Sequence, residues 1–251
     1  MNPYESDKLL GEYLLFHYGS HDEVLPWPDG PRAALDYPVR CVRECLDVIA
    51  LPPNARALDV GCAVGRSTFE LARHCAEVIG IDYSHRFIEV AQVLARDGSF
   101  PYPRADEGAL MTPLVAKVPT EIPRARAQFE HGDAQDLRDS LGSFDVVLGA
   151  NLIDRLAHPA QFLAQLPCLV KPGGQLVLTS PYTWLADYTA AEKWLGGFLE
   201  NDRPRTTLDG LRAALDADFT LLATKDLPFL IREHARKFQW SVAQASIWRR
   251  K

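Results

Sequence analysis

The run Ala57-Leu58-Asp59-Val60-Gly61-Cys62-Ala63-Val64-Gly65, answered by Asp82 seventeen residues after Gly65, constrains the fold more than any other feature of this chain. A short apolar strand ends beside an acid, a turn of small residues follows, and a helix starts near Arg66. A second apolar strand, Val78-Ile79-Gly80-Ile81, ends in a second acid. Such a unit holds a nucleotide-like ligand at the carboxyl ends of a parallel sheet.

The turn separates two classes of ligand. A dinucleotide fold uses Gly-x-Gly-x-x-Gly to bring backbone N–H groups to a pyrophosphate. Here the spacing is Gly61-x-Ala63-x-Gly65, with no small third residue at the required place. Asp59 would repel a pyrophosphate but suits a cofactor with an ammonium and a sulfonium. The pattern resembles the first motif of class I methyltransferases, with Ala63 in place of the usual middle glycine, and implies S-adenosylmethionine as cofactor.

Alternating elements predict an α/β fold with a mostly parallel sheet of seven strands. Strands are predicted at 56–60, 77–82, 127–131, 144–149 and 174–180, and helices at 65–74, 84–96 and 159–168. Segments 219–227 and 238–248 predict an antiparallel C-terminal hairpin with a long connection through Arg232–Lys237. Residues 1–54 read as a helical cap, with helices at 5–18 and 38–50 around a breaker-rich loop at 19–35. Segment 97–126 carries five prolines and does not fit the minimal core. It predicts an inserted hairpin or lid within a single domain, 1–251.

The formal net charge of −6 lacks the basic footprint of a nucleic-acid protein. No apolar stretch is long enough to span a bilayer and no signal-peptide pattern is present, so a cytoplasmic chain without membrane contact is expected. Five scattered cysteines predict reduced thiols, and no metal-ligand set is visible.

The strand exits supply the candidate site. Asp82 would accept from the ribose hydroxyls, or cap the helix starting at Ser84. Asp133 would accept from the adenine amino group while Ala134 offers its N–H; capping residues 134–139 is the competing reading. Tyr18 and Tyr83 join Asp59, Gly61, Cys62, Ala63 and Gly65 as cofactor residues. Beyond Gly149, Asn151, Asp154 and Arg155 are placed beside the reactive methyl, with Asn151 serving cofactor and catalysis alike. Tyr182 and Trp184 leave the fifth strand on the same face.

Beyond the cofactor motifs, the chain resembles the thiohistidine N-methyltransferases of ovothiol biosynthesis. The resemblance runs through Tyr4-Glu5-Ser6-Asp7-Lys8-Leu9-Leu10, Glu12 to Gly19, Leu58 to Ser67, Thr179 to Trp184, Glu192 to Gly197, Arg232-Glu233 and Ala235-Arg236-Lys237. It implies 5-thiohistidine as acceptor, methylated at the imidazole π nitrogen. It also implies a stand-alone enzyme linked to a separate sulfoxide synthase. Histidine or a related amine is the alternative acceptor. A zwitterionic acceptor needs a carboxylate partner, for which Arg232 or Arg40 is suited. Glu5, Glu12 or Glu233 would meet the ammonium, and Tyr4, Tyr13, Tyr182 and Trp184 would bracket the ring. His17, Asp154 and His158 are the candidates for fixing the imidazole tautomer or taking its proton.

Overall fold

The computed structural model describes residues 3–251. Its frame is a seven-stranded sheet with β1 (Arg56–Val60), β2 (Glu77–Asp82), β5 (Ala127–His131), β6 (Phe144–Ala150) and β7 (Val170–Ser180) parallel. Two long strands, β10 (Phe219–His234) and β11 (Lys237–Arg250), pair antiparallel, and β11 pairs antiparallel with β7. The spatial order is β10-β11-β7-β6-β1-β2-β5. The chain runs from β1 to β2 on one side and later returns to β6 on the other. That reversal opens a crevice at the carboxyl ends of β1 and β6.

Side-chain alternation splits the core into two layers. Ala57, Val78, Val146 and Val177 face one cluster, together with α4 (Arg66–Leu71) and α5 (His85–Asp97). Leu58, Ile79, Val147 and Leu176 face the other, together with α6 (Pro159–Leu169) and α7 (Thr207–Leu215). The N-terminal helix α1 (Asp7–Tyr18) and α3 (Tyr37–Arg43) belong to the first layer. Leu14, Leu15, Tyr37 and Cys41 share one buried cluster with Val64 and Phe87.

The insertion is a hairpin, β3 (Ser99–Glu107) paired antiparallel with β4 (Leu110–Lys117). It lies close against α1: a Cβ on Gly11 would stand 2.9 Å from the Pro103 carbonyl oxygen. A second small hairpin joins β8 (Phe198–Glu200) to β9 (Arg203–Arg205).

Three expectations change. The helix over 38–50 stops at Arg43 and resumes as a single 3-10 turn, Val48–Ala50, whose cap is Asp47, accepting from Ala50 N–H, and Ile49 within it is 95% exposed. The loop at 19–35 contains a short helix, α2 (His21–Val24), built on a Ser20/Glu23 capping box. The C-terminal strands run on to a tight turn at Ala235-Arg236, leaving no long connection. No helix among the described residues is long and apolar enough to cross a membrane. Cys168 is exposed, and the other four thiols are buried.

Candidate functional site

A cavity of about 490 Å³ opens at the crevice. Its floor is the turn after β1. Gly61 and Gly65 both take positive φ, and so does Ala63, at 47°. A Cβ on Gly65 would stand 2.6 Å from the Phe129 ring, so this position admits only glycine. Gly65 packs beneath the turn, while Gly61, Cys62 and Ala63 line the cavity.

Asp82 ties the turn to β2. One carboxylate oxygen accepts from Ala63 N–H and the other from Ser84 N–H, each at 2.8 Å. Burial raises its pKa. The cap of α5 is Ser84, whose hydroxyl accepts from Phe87 N–H at 3.1 Å, so the capping role expected of Asp82 belongs to its neighbour. Asp82 and Tyr83 both line the cavity. After β5, Asp133 and Ala134 line it too, and one Asp133 oxygen also accepts from Gln135 N–H at 2.8 Å, so its turn-forming and ligand-facing roles coexist.

Asp59 is fully buried beneath the turn and does not line the cavity. It accepts from Thr68 Oγ1 at 2.7 Å, and burial, reinforced by Asp82, pushes its pKa up to about 7. Tyr18 is likewise withdrawn, its hydroxyl donating to the Val64 carbonyl at 2.7 Å. Burial lifts the pKa of Cys62 well above the ordinary thiol value, so the thiol stays protonated and unreactive.

The N-terminal segment supplies the opposite wall. Tyr4, Tyr13, Phe16 and His17 line the cavity, joined by Tyr37 from α3 and Phe87 from α5. The Tyr13 and Phe87 rings lie 4.9 Å apart, and Phe16 stacks on Tyr37 at 5.9 Å. Burial and the nearby Arg66 charge pull the His17 pKa down to about 3. Its Nδ1 is buried without a hydrogen-bond partner. A ring this reluctant to ionise is a poor proton acceptor. The ring is therefore neutral where it lines the cavity.

Asn151 lines the cavity in the left-handed region, at φ 51°. Asparagine tolerates that region better than most residues. Its Oδ1 accepts from the Tyr37 hydroxyl at 2.7 Å, and that hydroxyl also meets Thr179 Oγ1 at 2.6 Å. This leaves the amide N–H groups as what Asn151 presents to the cavity. Arg155 also lines it.

Several sequence candidates lie elsewhere. Asp154 is 1% exposed and accepts from Ser180 Oγ and Arg155 Nη1, each at 2.8 Å, so it anchors Arg155 without reaching the cavity. His158 precedes α6 on the surface. Tyr182 donates to Gln244 at 2.9 Å, and Trp184 donates to Thr207 at 2.9 Å while stacking on Trp194. Both pack away from the cavity, because the chain turns at Tyr182, φ 56°, toward α7. Arg40 is bound to Glu44, Ala33 O and Pro228 O, locking α3 to β10. Arg232 donates to Glu23 O and Asp106, and Glu233 pairs with Lys237. Glu5 accepts from the N–H groups that open α5, and Glu12 lies near Lys8.

Phe16, Tyr37, Phe87, Asp187 and Tyr188 are cavity residues that sequence reasoning missed. Phe87 had a signal, since it sits one turn into the helix after Asp82. The others arrive through tertiary packing.

A family profile described as a methyltransferase domain matches residues 58–178, just under half of the chain. The chain has the class I methyltransferase fold. An N-methyltransferase, NodS from Bradyrhizobium japonicum WM9, solved with S-adenosyl-L-homocysteine, superposes with a TM-score of 0.55. It covers 96% of this chain and 98% of its own at 16% identity, a likeness of fold. Curated relatives include a ubiquinone biosynthesis O-methyltransferase of Ruegeria pomeroyi, 26% identical over 76% of this chain and 69% of its own. Another is a 2-methyl-6-phytyl-1,4-hydroquinone methyltransferase of Synechocystis, 28% identical over 66% and 46%. The chain spans about half the length of the curated relatives it matches.

The cavity's chemistry fits an adenosine sulfonium. Asp82 and Asp133 bring carboxylate acceptors to the cavity, the exposed Tyr83 ring stands at the rim, and aromatic faces suit a cation. The N–H groups of Gly61, Cys62, Ala63 and Gly65 are all bonded within the fold, to Ile81 O, Asp82 and Cys62 O, which removes them from cradling a pyrophosphate.

Proposed function

We propose that this chain binds S-adenosylmethionine in the crevice and transfers its methyl group to the imidazole π nitrogen of 5-thiohistidine, giving ovothiol A. The observation that carries the methyl-transfer reading is the cavity at the β1/β6 reversal, with Asp82 and Asp133 at strand exits inside a methyltransferase domain. The acceptor rests on the resemblance through the N-terminal helix and the segment around Tyr182. The aromatic lining of Tyr13, Phe16 and Tyr37 supports it, since aromatic side chains suit a ring acceptor.

Bound S-adenosylmethionine supplies an activated methyl on sulfur, so the chain's task is orientation and exclusion of water. Tyr37 holds the Asn151 amide so that its N–H groups face the reacting partners. Neutral His17 offers one hydrogen bond to an imidazole edge, which fixes a tautomer without demanding a proton at neutral pH. The phenols of Tyr13 and Tyr37 are buried and held protonated, their pKa values well above ordinary. They therefore act as donors and as apolar walls.

Mass spectrometry of mixtures of the protein, S-adenosylmethionine and either 5-thiohistidine or histidine tests this. A gain of one CH₂ on thiohistidine alone, located on the ring by fragmentation, is the expected result. Methylation of histidine in its place would reassign the acceptor. No gain on either, with the cofactor bound, would remove the acceptor and keep the cofactor reading.

A further inference from the structure

We propose that Arg155, Tyr4 and Tyr188 form a carboxylate seat in the cavity, and that the acceptor is therefore an amino acid held by its α-carboxylate. The inference deepens the methyl-transfer reading above and rests on it. Among the described residues lining the cavity, Arg155 is the one with a permanent positive charge. Arg232 and Arg40, the sequence candidates for this task, spend their donors on backbone carbonyls and acids outside it.

Arg155 is held from one side. Its Nη1 donates to Asp154 Oδ2 at 2.8 Å, to Asp154 O at 2.9 Å and to Thr183 O at 3.0 Å. Asp154 is itself fixed by Ser180 Oγ at 2.8 Å. All three of these acceptors sit on one nitrogen of the fork, and the residue lines the cavity. The guanidinium carbon lies 5.0 Å from the centre of the Tyr188 ring, which sets the plane of the fork. The Tyr4 hydroxyl meets both the Tyr188 hydroxyl and the Arg155 guanidinium. Tyr4 is placed by its own packing, edge-on to Tyr13 and Phe87 with ring centres 6.0 Å apart in each case.

Three chain segments thus bring a guanidinium and two phenols to one spot. The bond between the two phenols uses one of their protons, which leaves one phenol O–H beside the guanidinium N–H groups, and burial keeps the Tyr4 phenol protonated, with its pKa raised to about 12. Converging donors around a forked cation recognise a carboxylate. Asp187, adjacent to Tyr188, lines the same cavity and supplies the opposite charge that an α-ammonium requires. The cofactor's methionine tail also carries a carboxylate, so the experiment must tell the two sources apart.

Imidazolepropionate, L-histidine and histamine share the ring and differ in the charged tail. Titrated by NMR into protein loaded with S-adenosylhomocysteine, imidazolepropionate and L-histidine should bind about tenfold or more tightly than histamine. Arg155→Gln should abolish that preference and leave the affinity for S-adenosylhomocysteine unchanged. The double change Tyr4→Phe and Tyr188→Phe keeps the packing and removes two hydroxyls. It should weaken the preference several-fold, which tests the seat even where Arg155→Gln fails to fold.

Loss of S-adenosylhomocysteine binding in Arg155→Gln would assign the seat to the cofactor and overturn the proposal. Equal binding of all three ligands by the unaltered protein would overturn it as well. A retained carboxylate preference without turnover of 5-thiohistidine would support the seat and retire that acceptor. Turnover with a preference indifferent to all the substitutions would sink the seat alone.

Discussion

At the scale of single residues, the turn after β1 concentrates the compromises of the site. Ala63 holds a left-handed backbone, φ 47°, at the position where methyltransferase turns favour glycine. The Cβ penalty there is about 1–2 kcal/mol, part of which glycine returns through the freedom of the unfolded chain. Ala63→Gly should therefore stabilise the fold by about 0.5–1 kcal/mol in urea titrations. A destabilised variant would show that the Ala63 methyl packs more usefully than its backbone strains. Asp59 gives a pH signature. Its pKa is held up at about 7, whereas the unfolded value is about 4. Between those limits the folded chain binds the extra proton, so this contribution is full below about pH 4 and is lost as pH rises toward 7. Melting temperatures of the ligand-free protein should carry that downward slope, and Asp59→Asn should flatten it. An identical slope in the variant would place the titration elsewhere. Both residues were visible in the sequence as parts of a motif. Their energetics were not, because φ and burial belong to the folded backbone.

Elements were legible to the degree that their own residues determine them. The central parallel strands β1, β2 and β6 announced themselves as short apolar runs because both of their faces are covered. The ends of β10 and β11 did not, since beyond the sheet they form a ribbon of mixed residues joined at Ala235-Arg236. What holds that ribbon is remote in sequence: Arg232, 4% exposed, reaches Asp106 on β3 at 3.1 Å and Glu23 O at 2.8 Å. Asp106 also accepts from Arg104 at 2.9 Å and from Thr112. The insertion is thus tied to the C-terminal ribbon and, through Gly11, to α1. Asp106→Ala would leave a buried guanidinium without its carboxylate, a loss of about 3 kcal/mol. Chemical denaturation should register that drop, and a change below about 0.5 kcal/mol would mean the pair is too solvated to matter. The same logic explains the acceptor candidates that lie outside the cavity. Tyr182 and Trp184 looked functional because they leave a strand exit, and Arg232 and Glu233 because a zwitterionic acceptor needs charge partners. Only tertiary placement separates those that face the cavity from those that fasten neighbouring segments.

On the scale of the whole molecule, the N-terminal segment is part of the core and part of the site at once. Leu14 and Leu15 of α1 are buried with Val64 and Phe87, while Tyr13, Phe16 and His17 on the same helix line the cavity. Tyr37 repeats the pattern from α3, joining the first core layer while bonding to Asn151 and Thr179 at the ends of β6 and β7. A helix that only shielded the crevice could open freely. One whose other face completes the core opens only at the cost of that burial, about 25 cal/mol for each Å² of apolar surface exposed. Ligand exchange is then expected to proceed through the ends of the segment, at Tyr4 and at the loop bearing Tyr188, which meet across the cavity. Hydrogen exchange would read this directly. Adding imidazolepropionate to protein loaded with S-adenosylhomocysteine should slow exchange in residues 3–6 and 185–190 together, with smaller change in residues 10–15, already protected by the core. Independent responses of the two outer segments would separate Tyr4 from Tyr188. Strong ligand-induced protection in residues 10–15 would show instead that α1 as a whole opens and closes.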